Sequence, residues 1–471
     1  MVFCSEVFIL VFFPIAFGVF WLVPTRRLRH IVLTIVGYVF YGYYDWRYCL
    51  LLAFSTLASF VAAQIIQRWQ GATGKRLWLA ASIMLNLGLL GFFKYYDWAA
   101  SAANSLAGSE VFPLLRIALP IGISFYTFST ISYLLDVSHG HLRATSDFWK
   151  YFAHVGFFPQ LVAGPIARFG PIDDDLQHID RPLTDDYLAK GVGFFAVGMV
   201  KKTVIADTLA KLINPMLSEY PSLSVAGAWA VALGYTFQLY YDFSGYSDMA
   251  VGLGYLFGVR LPQNFNAPYR ARSVTEFWQR WHISLSTWFR DYLFLPLAYA
   301  ASRRLDWARL SPRGETWASY MASTLLTMLL IGLWHGASWT FVVWGLYHGV
   351  LLVVDRTLRR QTSRLPDLAF RWLTFVFLVA GWVLFRSSSF HMAIVWLAKM
   401  AGLGAQGTGG PSIRLVVLLA LSLLASNTMP ASWDFRFRPT PRWAFASALC
   451  LFVAFLFMNG RETVAFLYFQ F

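Results

Sequence analysis

The sequence predicts an all-α polytopic membrane bundle, and three observations carry that prediction. Of its 471 residues 58% are hydrophobic and 13% charged, about half the charged share of roughly 25% usual in soluble proteins. Mean hydropathy is +0.53, and aromatic residues make up 18%. Long apolar runs recur from one end of the sequence to the other, which a soluble fold cannot cover with so few polar groups. Together these exclude a soluble enzyme, a disordered tail and a DNA-binding domain. The net charge of +14 would suggest nucleic acid in a soluble chain. Here the basic residues cluster between apolar runs, where they set topology and meet anionic lipid headgroups, and no nucleic-acid partner is expected.

Taken in order, the first apolar stretch runs from Val7 to Val23. No basic segment precedes it, no small-residue cleavage site follows, and Arg26, Arg27 and Arg29 come next, so it is expected to be an uncleaved first span. Further spans are expected at 31–46, 48–66, 77–97 and 114–135. Basic clusters after the first, third and fifth (Arg68, Lys75 and Arg76 after the third; Arg143 and Lys150 after the fifth) contrast with a lone Arg47 after the second and no Lys or Arg in 98–112. The positive-inside rule then puts the N-terminus outside and the basic loops in the cytoplasm.

Beyond that point the alternation blurs. Apolar runs lie near 150–166, 187–209, 223–241, 243–259, 277–298, 317–334, 337–354, 368–385, 390–403, 411–427 and 442–459. Several fall short of the roughly 20 residues of a straight span, and Gly and Pro interrupt others. Such pieces are expected to be re-entrant or broken helices buried in protein, where their backbone is satisfied. About 11–14 true spans are expected in all.

Polar inserts are short. The longest, 168–190, carries Asp173, Asp174, Asp175, Asp180, Asp185 and Asp186. A basic insert covers 301–316, and a third, 355–366, holds Arg356, Arg359, Arg360 and Arg364. None is long enough to fold alone, so residues 1–471 are expected to form a single integral membrane domain. There is no internal repeat of the kind many transporters show. Cys4, Cys49 and Cys450 lie in or beside apolar stretches with no metal-site spacing, and are read as packing residues with no metal expected.

Ionisable groups inside apolar runs are the informative ones, because burying them is costly. Of nine histidines, His30, His139, His141, His154, His178 and His391 lie in loops or near span ends. His335 stands in Gly332-Leu333-Trp334-His335-Gly336-Ala337-Ser338-Trp339, between apolar runs. A neutral imidazole there can take a proton from a hydroxyl, and its glycines allow close backbone approach or a helix break. The same pattern also suits a helix-packing histidine. His282 lies in a stretch dense in Trp, Arg and Ser, from Glu276 through Trp281, Ser286 and Arg290 to Tyr292. If helical, His282 and Ser286 share a face, as do Glu276 and Arg280. This reads as a cavity wall or as an interfacial helix with an aromatic belt. His348, thirteen residues past His335, reads first as an ordinary buried and satisfied histidine, with a place on the same cavity wall as the alternative.

Residues 239–249 place Asp242 and Asp248 among Tyr240, Tyr241 and Tyr246. Asp242 and Tyr246 could share a helical face. The carboxylates suit a proton or cation site, or plain structural anchors. Pro262 to Arg270, containing Asn264, is a Pro/Asn turn leading towards His282. No Ser-His-Asp triad, nucleophile elbow, P-loop or dinucleotide fingerprint stands in credible context.

These residues in this order resemble the membrane-bound O-acyltransferase family, in its alginate O-acetylase branch: Tyr240 to Ala250, Asn264 to Tyr269, Trp281 to Trp288, Arg290 to Leu293 and Trp334 to Ala337. Pro120 to Tyr126, Gly164-Pro165-Ile166 and the ending Phe466 to Phe471 are similar too. The resemblance covers nearly the whole chain. It implies many helices around a central funnel, with His335 in the position of the catalytic histidine and His282 in that of the second polar residue. Asp242, Tyr246, Asn264, Trp281, Ser286, Arg290 and Trp334 are expected to line the substrate site. The resemblance also implies acyl transfer from a cytoplasmic thioester, acetyl-CoA as donor with no bound cofactor, an acceptor hydroxyl outside, periplasmic partner proteins of a polysaccharide-modification complex, and residence in a bacterial inner membrane. Where many alginate-type members read Pro-Leu-Gly-Gly-Asn-Arg, this sequence has Pro296-Leu297-Ala298-Tyr299. That leaves an alginate-like exopolysaccharide as the first acceptor, with cellulose, peptidoglycan or a small molecule beside it. A proton-coupled transporter using Asp242, Asp248 and the histidines, and a non-catalytic scaffold, are the rival readings.

Overall fold

The structure, a computed structural model, describes residues 1–305, 312–358, 366–404, 407–458 and 467. Part of the basic insert (306–311), Arg359, Arg360 and Arg364 of the third insert, and the ending Phe466 to Phe471 apart from Leu467 lie outside the described residues. Among the described residues the regular elements are helices, with a single isolated bridge between Leu223 and Gly409. The chain is an all-α, multi-pass membrane protein. Among the described residues six helices are long and apolar enough to cross a bilayer: Arg47–Arg68, Ala72–Ala107, Gly314–His335, Trp339–Leu358, Asp367–Arg386 and Pro441–Met458. Shorter apolar helices lie at Phe8–Leu22, Phe390–Met400 and Ile413–Thr428.

Three elements differ from expectation. The runs at 223–241 and 243–259 are one helix, Val225–Leu256. Its polar Asp, Ser and Gly residues interrupt the hydropathy without interrupting the backbone, because nearly every side of it is buried. The span expected from 114 begins only at Ile123. Pro113 and Pro120 lack the N–H a helix needs, and Gly122 is left-handed at φ +81. The run 277–298 is broken, as described below.

The chain divides into two compact units. The first comprises Met1–Met199, Tyr246–Pro262 and Phe437–Phe452. Its core is aromatic, with Phe3, Phe8, Phe40 and Phe158 all buried and Phe3 stacked on Tyr246 at 4.6 Å. Three of its helices are joined by side-chain hydrogen bonds, which hold membrane helices together where the hydrophobic effect does not. Ser55 and Thr130 donate to the Asn86 carbonyl at 2.8 and 3.2 Å, and the Asn86 amide donates to Ser59 at 3.3 Å. Within the acidic insert the helix Phe169–Gln177 is tied down by charge. Asp173 meets Lys150 at 2.7 Å and Asp175 meets the Arg260 fork at 2.6 Å, which raises the Arg260 pKa further. Cys4, Cys49 and Cys450 form no disulfide with one another.

The second unit comprises Val200–Gly245, Gln263–Arg436 and Val453–Phe471. Its central feature is a helical hairpin of Pro312–His335 and Trp339–Leu358. A Cβ at Gly345 would overlap the Met328 carbonyl oxygen, and one at Gly332 that of Phe341. The two glycines let the backbones touch, the device by which small residues join membrane helices.

Candidate active site

The segment 264–282 builds one wall. Instead of the continuous helix the spacing suggested, two short helices form, Val274–Arg280 and Ile283–Phe289. Ser273 caps the first by accepting from the Glu276 N–H, and Arg280 bonds Glu276 as the i,i+4 spacing predicts. Between the helices Trp281 is extended and His282 is left-handed at φ +43. Histidine tolerates that region better than most residues, at a cost of about 1–3 kcal/mol. His282 and Ser286 therefore do not meet side chain to side chain. The Ser286 N–H donates to the His282 carbonyl at 2.9 Å, and its hydroxyl to the Trp281 carbonyl at 3.1 Å. Ala267, in the preceding turn, is left-handed too, at φ +42. Strained backbone of this kind collects at functional sites.

Asn264 supplies the counterforce. Its Oδ1 accepts from the Ser284 N–H at 3.3 Å and the Ser284 hydroxyl at 2.9 Å, and lies 2.9 Å from His282 Nδ1. Its own carbonyl accepts from the Ile283 N–H at 2.9 Å. A backbone N–H can only donate, so the Asn264 atom is the oxygen, and His282 Nδ1 carries the proton. The neutral ring then presents an acceptor at Nε2. His282 and Asn264 are both buried, and Phe243 packs edge-on to the imidazole at 4.6 Å.

His335 arrives from the other wall. It ends its helix, and the chain turns through Gly336 to Ser338 into Trp339–Leu358. The imidazole is buried and edge-on to Trp344 at 5.1 Å and Phe385 at 5.1 Å. Trp334 links the histidines, with its ring 4.8 Å from His335 and 6.1 Å from His282. Trp281 packs at 4.9 Å on Trp382, which meets Phe385 at 5.6 Å. The structure thus gathers His282, His335, Asn264, Trp281 and Trp334 into one aromatic cluster.

His348 belongs to the same cluster, where the sequence alone favours an ordinary satisfied histidine over a cavity residue. It is fully buried, 4.9 Å from Trp344, and neither ring nitrogen makes a hydrogen bond within the protein. The buried indole N–H groups of Trp278 and Trp344 likewise make none. Buried polar atoms of this kind usually meet water or a ligand.

Beside the cluster lies a cavity of about 460 Å³, lined by Trp278, Ile283, Ser286, Thr287 and Arg290 on one side and Tyr320, Met328 and Ile331 on the other. That volume is within the roughly 300–1,000 Å³ of small-molecule sites. Trp278 faces both the cavity and His348, at 5.4 Å. Arg290 is exposed and paired with Asp291 at 2.7 Å. Among the described residues no group of three or more His, Cys, Asp or Glu could hold a metal ion.

Two expected residues stand elsewhere. Asp242 is buried and bridged to Lys202 at 2.8 Å, and accepts from the Leu467 N–H at 2.9 Å. Lys202 also bonds Asp207 at 2.7 Å. This is an anchor of the second unit, and Lys202 inside the run 187–209 was the overlooked signal for it. Tyr246 falls in the first unit, against Phe3, and Asp248 is buried there as well.

The multi-pass helical bundle, with two histidines converging on buried indoles beside a cavity, is an arrangement compatible with what the sequence resemblance implies. The profile of the membrane-bound O-acyltransferase family matches residues 9–386, and the chain belongs to that family. It is 40% identical to the probable alginate O-acetylase of Azotobacter vinelandii, over 86% of this chain and 79% of that one. It is 42% identical to the Pseudomonas aeruginosa protein of the same description, over 83% and 73%. To the peptidoglycan O-acetyltransferase of Helicobacter pylori it is 30% identical, over 100% and 98%.

Proposed function

We propose that this protein moves acetyl groups from cytoplasmic acetyl-CoA towards hydroxyls of an extracytoplasmic polysaccharide, in a bacterial inner membrane and together with periplasmic partner proteins. The observation that carries the reading is the convergence of His282 and His335 on Trp334 beside the 460 Å³ cavity. His335 takes the proton from the acceptor hydroxyl as its oxygen attacks the thioester carbonyl. The carbonyl oxygen becomes an oxyanion, and its collapse expels the thiolate, which recovers the proton from the imidazolium. General-base help of this kind contributes roughly 10²–10⁴ in rate.

With Nδ1–H committed to Asn264, the neutral His282 accepts at Nε2 and so orients a hydroxyl. The buried Trp344 N–H is the candidate donor to the oxyanion. The donor enters through the cavity, where Ser286 and Arg290 meet its polar portion. The ion pair of Asp242 with Lys202 counts against a proton relay through Asp242 and hence against transport. The alginate O-acetylases among the relatives favour an alginate-like polymer as acceptor, and the full-length match to a peptidoglycan O-acetyltransferase makes peptidoglycan the second candidate.

The test is transfer of radiolabelled acetyl from acetyl-CoA by protein in nanodiscs, with its periplasmic partner and a panel of alginate, cellulose and peptidoglycan. Label on one polymer names the acceptor. Folded protein that labels none of them and cleaves no thioester contradicts the reading.

A further inference from the structure

The first unit holds a cavity of its own, of about 270 Å³, lined by Phe40, Tyr41, Tyr44, Asp45, Tyr48 and Ile121 among others. It lies where the helix Arg26–Gly42 hands over to Arg47–Arg68. The far ends of those two helices carry Arg26, Arg27 and Arg29 and then Arg68, with Lys75 and Arg76 following in the next helix. The positive-inside rule puts those ends in the cytoplasm, so the cavity opens on the extracytoplasmic face.

Its chemistry is mixed in a particular way. The Tyr44 ring, 57% exposed, stands at the mouth, while Tyr41 and Phe40 form the inner wall at 5% and 1%. Tyr43 and Trp46, by contrast, are exposed and serve as an ordinary interfacial belt. The Tyr41 hydroxyl is buried beside that of Tyr126, its hydrogen-bond partner, and a phenolic oxygen keeps capacity for a second bond. Tyr48 donates to the Ala118 carbonyl at 2.9 Å, which fixes its ring and leaves its oxygen free to accept. Arg47 bonds both Asp45 oxygens, at 2.9 Å to Oδ1 and 2.7 Å to Oδ2, and these bonds hold the Asp45 carboxyl below its usual pKa range.

Flat tyrosine faces beside the Asp45–Arg47 ion pair and the tyrosine hydroxyls do not suit a lipid tail. They match a pyranose, which offers C–H faces to aromatic rings and hydroxyls to polar partners. The volume falls below the roughly 300–1,000 Å³ of drug-sized sites, room for one sugar ring with its neighbours left outside.

We propose that this cavity binds one pyranose residue of the acceptor glycan, with Tyr44 as its platform and Asp45 and Tyr41 as its hydroxyl partners. The inference rests on the reading of the acceptor as a polysaccharide and adds where that polymer is held.

The experiment is saturation-transfer NMR and calorimetry on the full chain in nanodiscs, with oligomannuronate, cellotriose and chitotriose as probes. The expected result is binding of one of them, weakened about tenfold or more by Tyr44→Ala and by Asp45→Asn. Tyr41→Phe removes one oxygen without disturbing the Asp45–Arg47 pair, and is expected to weaken binding as well. In acetyl transfer the effect of all three variants is expected in the acceptor KM and not in kcat. Wild-type protein that acetylates a polymer but binds none of the probes overturns the proposal. So does Tyr44→Ala protein with unaltered binding and an unaltered KM for the acceptor. If wild type cleaves no acetyl-CoA while Tyr44-dependent sugar binding persists, the acyltransferase reading fails and the saccharide site stands.

Discussion

His282 and His335 reach the same indole from segments held by opposite means. His282 is positioned by hydrogen bonds: one Asn264 oxygen serves Nδ1, the Ser284 N–H and the Ser284 hydroxyl, and overcomes a left-handed backbone at φ +43. His335 is positioned by shape. It sits at a helix end where Gly332 and Gly345 let two backbones touch, walled by Trp334, Trp344 and Phe385. The contrast matches the chemistry proposed for each. A residue that orients must keep one tautomer, which a hydrogen bond enforces. A base that gains and loses a proton is better confined by contacts that do not depend on its charge.

That comparison can be broken at several points. The largest effect is expected at the base itself: His335→Gln keeps the bulk and removes the basic nitrogen, and acetyl transfer falls roughly 10²–10⁴-fold, with the unfolding midpoint little changed. Next is Gly345→Ala, whose Cβ meets the Met328 carbonyl. It is expected to cost about 1–3 kcal/mol by overpacking and to reduce transfer by shifting the helix that carries His335. Gly349→Ala, one turn beyond Gly345 in Trp339–Leu358, would bring its Cβ to 3.1 Å from a Leu325 side chain, and is expected to lose much less in the same unfolding and rate assays.

On the hydrogen-bonded side, Asn264→Ala leaves His282 and Ser284 unsatisfied. Its expected cost is about 1–3 kcal/mol, read by unfolding in detergent, with transfer lowered because the tautomer is released. The smallest effect separates strain from function: His282→Asn is expected to be about 1 kcal/mol more stable than His282→Ala, because Asn accepts the left-handed conformation. Equal stabilities would show that the bend is not strained.

The hairpin was legible because its cause is local. Gly332, His335 and Gly336 stand together between two apolar runs, and glycine there signals close approach or a turn. The His282 bend was not legible, because the residue that forces it, Asn264, lies 18 positions away. Helical spacing alone then favours one unbroken helix. Asp242 was flagged correctly as a buried carboxylate, but its partners Lys202 and Leu467 are tertiary neighbours that no local pattern announces. His348 shows the same limit in reverse. A histidine in an apolar helix looks satisfied until its surroundings prove to be indoles with no acceptor to offer.

The most direct measurement is the rate of labelled acetyl transfer from acetyl-CoA by His335→Gln and His282→Asn protein beside wild type, in nanodiscs, with unfolding followed on the same samples. The proposed mechanism predicts that His335→Gln loses roughly 10²–10⁴ in rate while folded, and that His282→Asn loses less. Folded His335→Gln protein transferring acetyl at the wild-type rate would contradict it.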